Sequence, residues 1–161
     1  MNKPLTRICL LALLPIGSLH AAECTLGLSD FNFGEYSAYS DMPLDGAGQV
    51  IVRCTSSMGS SETVNYTLSL SGSNRAVGAM MRPRMLIGQG APMEYNLYIE
   101  PGRTTVWGDG SNGTQAISGA VAVQAMGDSQ GMNTIYGRIP AQQPSIAPGE
   151  YNDTLTVTIS Y

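Results

Sequence analysis

The sequence predicts an all-β sandwich, and three observations carry that expectation. Short runs of alternating apolar and polar residues recur along the chain, clusters of Gly, Pro, Asn and Asp separate them, and no segment holds helical periodicity for three turns. With 161 residues, 43% of them hydrophobic, the chain has the length of one domain and enough apolar material for one core.

Taken in order, the runs are Cys24 to Phe33, Val50 to Cys54, Val64 to Leu70, Met93 to Ile99, Thr105 to Trp107, Ile117 to Met126, Thr134 to Ile139 and Thr154 to Tyr161. Eight short strands at this spacing fit an immunoglobulin-like sandwich. Successive side chains of a strand face opposite sides, so Val50, Val52 and Cys54 share a face, as do Val64, Tyr66, Leu68 and Leu70, and Met93, Tyr95, Leu97 and Ile99. These are the candidate core. The first run changes phase: Cys24, Leu26 and Leu28 face one way, Phe31 and Phe33 the other, and a bulge near Ser29 and Asp30 would reconcile them. Gly108 to Gly113 contains Asp-Gly and Asn-Gly, dipeptides that accept positive φ, and reads as a loop tip.

The first 22 residues read as a secretory signal: Lys3 and Arg7 supply positive charge, Ile8 to Leu19 an apolar stretch, and Ala21 and Ala22 the small residues of a cleavage site. The domain proper is then 23–161. The apolar stretch falls short of the ~20 residues that cross a bilayer, so no membrane span is expected. Glu23 argues against lipid attachment at Cys24, where a small residue is needed.

Cleavage after Ala22 changes the available chemistry. Cys9, His20 and the single lysine, Lys3, leave with the signal, and the net charge moves from −4 to −6. Six arginines against twelve carboxylates argue against nucleic acid, whose phosphates need Lys and Arg. The two remaining cysteines, Cys24 and Cys54, read as a disulfide in an exported chain, worth roughly 3 to 4 kcal/mol by the chain-entropy relation. Without histidine, lysine or a free thiol the usual bases and nucleophiles are missing, so no enzyme is expected. No cofactor is expected either, and Asp109, Asn112 and Asp128 lack the regular spacing of a calcium loop.

Met80, Met81, Met85 and Met93 surround Arg82-Pro83-Arg84. The first three could form an adaptable contact surface. Trp107, beside the glycine-rich loop, could join such a contact surface as a sugar-stacking platform. Core packing is the simpler reading of both and the one expected.

The chain ends on Leu155, Val157, Ile159 and Tyr161 alternating with Thr154, Thr156, Thr158 and Ser160, so the domain is expected to end inside a strand. Such a strand either lies at a covered edge or leaves an unpaired edge with an apolar groove beside it, a template for another chain.

Glu94-Tyr95-Asn96-Leu97-Tyr98-Ile99, then Arg103-Thr104-Thr105-Val106-Trp107-Gly108-Asp109-Gly110, Tyr136-Gly137-Arg138-Ile139-Pro140 and the ending from Pro148 to Ile159 together resemble the spore coat protein U domain family, which includes subunits of archaic chaperone-usher pili. The resemblance spans about Cys24 to Tyr161. It implies an immunoglobulin-like domain lacking its final strand, which a periplasmic pilus chaperone supplies first and a neighbouring pilus subunit replaces at an outer-membrane usher. Carried over, the acceptor groove lies between Leu26 and Leu28 on one side and Leu155, Val157, Ile159 and Tyr161 on the other, with the Tyr161 carboxylate as the chaperone's anchor. It also implies export through the periplasm to a surface fibre that serves adhesion and biofilm formation.

One departure stands out. Polymerising subunits of this kind carry an alternating apolar N-terminal extension as the donated strand, whereas only Ala22 and Glu23 would precede Cys24 here. The expectation is an acceptor-only end subunit. The alternative is a secreted coat-like or carbohydrate-binding sandwich that closes as a monomer.

Overall fold

The structure, a computed structural model, describes residues 22–71, 84–86 and 91–161. Of the expected secretory signal all but Ala22 lies outside the described residues, as do Met80 and Met81. Eight strands follow in chain order: β1 (Ala22–Leu28), β2 (Leu44–Ser56), β3 (Glu62–Leu70), β4 (Arg84–Leu86), β5 (Met93–Tyr98), β6 (Ile117–Val123), β7 (Asp128–Ile139) and β8 (Val157–Ser160). They form a five-stranded sheet in the order β1-β2-β7-β5-β4 and a three-stranded sheet in the order β6-β3-β8, with every pairing antiparallel. The chain is an all-β sandwich.

Period-two burial builds the core between the two sheets. Val50, Val52 and Cys54 of β2, Tyr66, Leu68 and Leu70 of β3, Met93, Tyr95 and Leu97 of β5, and Ile135 and Ile139 of β7 are all buried. Fully burying an aliphatic side chain stabilises by about 1.5 to 3 kcal/mol, so this face is the main source of cohesion. Two polar contacts tie the sheets together. The Trp107 indole N–H donates to the Leu68 carbonyl at 3.0 Å, and the Asn133 amide donates to the Tyr66 hydroxyl at 3.0 Å. Both satisfy groups that would be costly to bury unpaired.

Cys24 and Cys54 face each other across β1 and β2 and are disulfide-bonded. The bridge fixes the β1–β2 register, which a one-residue slip would otherwise turn inside out.

The elements differ from the sequence reading in three places. The first run stops at Leu28 instead of passing through a bulge: the Ser29 N–H still donates to the Gln49 carbonyl, but the Gln49 N–H turns to the Ser29 hydroxyl at 2.8 Å. A side chain has taken over the ladder acceptor, and the backbone leaves the sheet. Thr105 to Trp107 makes only isolated bridges, Tyr98 with Val106 and Trp107 with Gln115. The short β4, paired to β5 from Arg84 opposite Tyr95 to Leu86 opposite Met93, has no alternating signal of its own. The 108–113 loop is as expected, with φ of 90° at Gly110, 52° at Asn112 and 81° at Gly113.

Candidate functional site

After leaving the sheet at Ser29, the chain crosses the end of the sandwich as residues 29–36. The inner face of β2 and β7 is bare there, because Gly46, Gly48 and Gly137 carry no side chains, and the Phe31 and Phe33 rings fill the space. A Cβ built on Gly137 would stand 2.5 Å from Phe31 Cζ and 2.7 Å from Phe33 Cζ, and one on Gly48 2.7 Å from Phe31 Cδ2. The two rings meet edge to face with centroids 4.9 Å apart, and Phe33 meets Tyr95 in the same way at 5.9 Å. Farther on, the Tyr36 hydroxyl donates to the Pro140 carbonyl at 2.7 Å. This crossing segment is the first wall.

The second wall is the stretch 147–157 leading into β8. Tyr151 folds back on its own backbone, its hydroxyl donating to the Ala147 carbonyl at 2.9 Å and accepting from the Ala147 N–H at 3.0 Å. The Tyr95 hydroxyl donates to Asp153 at 2.7 Å and holds this wall to the core strand β5. Thr156 closes the far end, its N–H reaching the Ser71 hydroxyl at 2.9 Å.

Between the walls lies an open cleft of about 1120 Å³. Its floor is the core itself: Val50, Leu70, Leu97, Trp107, Ile135 and Ile139. These are at most 7% exposed, so the apolar surface open to solvent belongs to the rim, where Leu28 is 60% exposed and Phe31, Phe33, Leu155 and Val157 are half-buried. β8 hydrogen-bonds to β3 alone, from Thr67 opposite Ser160 to Leu70 opposite Val157. β1 is the edge of the other sheet, paired to β2 alone. Each carries an unpaired edge among the described residues.

Of the groove residues expected from sequence, Leu28, Leu155 and Val157 line this cleft, while Leu26, Ile159 and Tyr161 lie outside its lining. Leu26 and Ile159 pack against the main core instead, and Tyr161 is 55% exposed beyond the end of β8. Sequence reasoning missed Phe31, Phe33, Tyr36 and the Tyr95–Asp153 bond as cleft builders; the phase switch at Ser29 was the one signal pointing to them. Trp107 is 2% exposed, donates its N–H to the Leu68 carbonyl and forms part of the cleft floor. Met85 sits in β4, at the edge of the larger sheet.

The lining is charged with one sign. Asp30, Glu35, Glu150 and Asp153 face the cleft, and among the described residues no Lys or Arg does. Among the described residues the ion pairs lie elsewhere, both on Asp45. Arg138 binds that carboxylate in a fork at 2.7 and 2.8 Å, and Arg103 approaches it at 3.3 Å while covering the Tyr136 ring. The Arg138 hydrogen bond is the main cause that holds the Asp45 carboxyl below its ordinary range; partial desolvation opposes it and Arg103 adds to it. The Arg103, Tyr136 and Arg138 positions singled out in the sequence thus brace the outer sheet face rather than the cleft.

Comparison with known proteins supplies the family. The Spore Coat Protein U domain matches residues 10–158. The chain belongs to this family. The Spore Coat Protein U domain is associated with subunits of chaperone-usher pili, a structural role in exported fibres or coats. No curated protein matches the chain significantly. No helix among the described residues is long and apolar enough to cross a membrane.

Proposed function

We propose that this Spore Coat Protein U domain is a pilus subunit that accepts a β-strand from another polypeptide at the cleft between β1 and β8. One observation carries the reading: among the described residues β8 is hydrogen-bonded to β3 on one side only, and the cleft rimmed by Leu28, Phe31, Phe33, Leu155 and Val157 opens at its first residue, Val157. A strand laid there satisfies the free backbone groups and covers the rim, each apolar side chain contributing up to about 1.5 to 3 kcal/mol when fully buried. Strand addition of this kind draws affinity from the ladder and specificity from alternate side chains.

In this reading the first donor is a periplasmic chaperone and the second a neighbouring subunit, exchanged at an outer-membrane usher. The subunit takes an end position. β1 is already paired to β2 from its first residues, so a donated strand would have to come from residues before it, and the expected signal cleavage after Ala22 would remove those residues. Its fibre serves surface adhesion and biofilm formation.

Co-expression of the full precursor with and without a pilus chaperone tests the proposal. The expected result is a soluble one-to-one complex with the chaperone and, without it, a lower yield of soluble chain that still accepts an added strand. A monomer obtained in full yield without any chaperone that accepts no added strand would support the closed-monomer reading instead. Mass spectrometry of the mature N-terminus tests the end position, which a start a dozen residues upstream of Cys24 would contradict.

A further inference from the structure

We propose that the strand filling the cleft is cationic: an extended segment of another polypeptide whose apolar residues alternate with, or are flanked by, Lys or Arg. The inference rests on strand acceptance as proposed above and adds the chemistry of the donor. Four carboxylates line the cleft, Asp30 and Glu35 from the first wall and Glu150 and Asp153 from the second, with no basic side chain among the described lining residues to offset them. Asp153 is engaged by Tyr95 and by the Thr154 N–H, but Asp30, Glu35 and Glu150 are exposed at the two rims.

The walls therefore present negative charge on both sides of an apolar bed. A strand lying between them buries one row of side chains against Leu28, Phe31, Leu155 and Val157 and brings the ends or outward row of its residues within a few ångströms of the rims. Positive charge there is attracted from both walls, and negative charge is repelled from both. Charges arranged in this way act mainly on encounter rate and partner choice, and the action fades with salt. A second copy of this chain is a poor occupant. After signal removal it has no lysine and twice as many carboxylates as arginines.

The test measures association of the purified mature chain with three synthetic strands of about ten residues, identical in their alternating apolar positions and carrying Lys, Ser or Glu between them. At low ionic strength the Lys strand should associate about tenfold faster than the Glu strand, with the Ser strand between them, and the gap should close in high salt. The triple variant Asp30→Asn, Glu35→Gln, Glu150→Gln should bring the three rates together while leaving the Ser strand unchanged. Should that variant fold poorly, Glu150→Gln alone should move the rates the same way by a smaller amount. Equal rates for all three strands on the wild-type chain would overturn the inference and leave strand acceptance standing. Binding of none of them would overturn strand acceptance itself. Dimerisation of the chain alone that excludes all three strands would place a second copy in the cleft and also overturn the inference.

Discussion

The ring of Phe31 occupies the space that a side chain on Gly137 would need, since a Cβ there would lie 2.5 Å from Phe31 Cζ. The first wall of the cleft thus depends on a bare stretch of β7, and the prediction is reciprocal. Gly137→Ala should displace Phe31 and destabilise the domain by about 1 to 3 kcal/mol, the usual cost of overpacking. Phe31→Ala in the same background should recover part of that loss, which additive single-site effects would not do. Urea unfolding of the two single variants and the double variant checks this.

Trp107 is predicted to be structural. Trp107→Phe keeps most of the ring but leaves the Leu68 carbonyl without its indole donor, a loss of about 1 to 3 kcal/mol at a buried site. Its fluorescence should be blue-shifted and insensitive to added sugars. Quenching by a soluble oligosaccharide would restore the stacking-platform reading.

The Cys24–Cys54 bridge holds the edge strand that flanks the cleft. Replacing both cysteines with serine should lower stability by roughly 3 to 4 kcal/mol and release β1 first. Hydrogen exchange of residues 22–28 before and after reduction measures this; unchanged protection there would show that β2 holds β1 without the bridge.

Glu100 governs the turn before Val106. Its carboxylate accepts the N–H groups of Thr105 at 2.8 Å and Thr104 at 2.5 Å, which with the Thr104 hydroxyl hold its pKa down at about 2 instead of the ordinary 4.5. A lowered folded-state pKa means that this contribution is complete above about 4.5 and disappears as the pH falls toward 2. The stability gap between wild type and Glu100→Gln should therefore be constant from pH 7 to 5 and close between pH 4.5 and 2. A gap that persists at pH 2 would assign the effect to shape instead of charge.

Much of the core could be read from the sequence because period two survives wherever a strand has one buried face. Val50, Val52 and Cys54, or Tyr66, Leu68 and Leu70, needed nothing beyond alternation. β2 and β7 run longer than their apolar stretches, from Leu44 opposite Ile139 to Thr55 opposite Asp128, because the glycine end of their inner face is packed by Phe31 and Phe33 from elsewhere. No local pattern encodes that. Thr105 to Trp107 looked like a strand for its β-branched and aromatic residues, yet the turn at Glu100 and the 108–113 loop leave room only for bridges. At the cleft, Leu28 was legible from the alternation of the first run and Leu155 and Val157 from that of the last, while their meeting at one groove came from the family resemblance. The Tyr95–Asp153 bond that shapes the same cleft joins residues 58 apart and follows only from the packing of β5.

The free edge of β8 is the central claim, and hydrogen exchange reads it most directly. In the isolated mature domain, the amides of Val157–Ser160 that do not point at β3 should exchange rapidly, and binding of a donor strand should slow them by more than about tenfold. Finding those amides already as protected as β3 in the isolated domain, and unmoved by any added strand, would contradict the account.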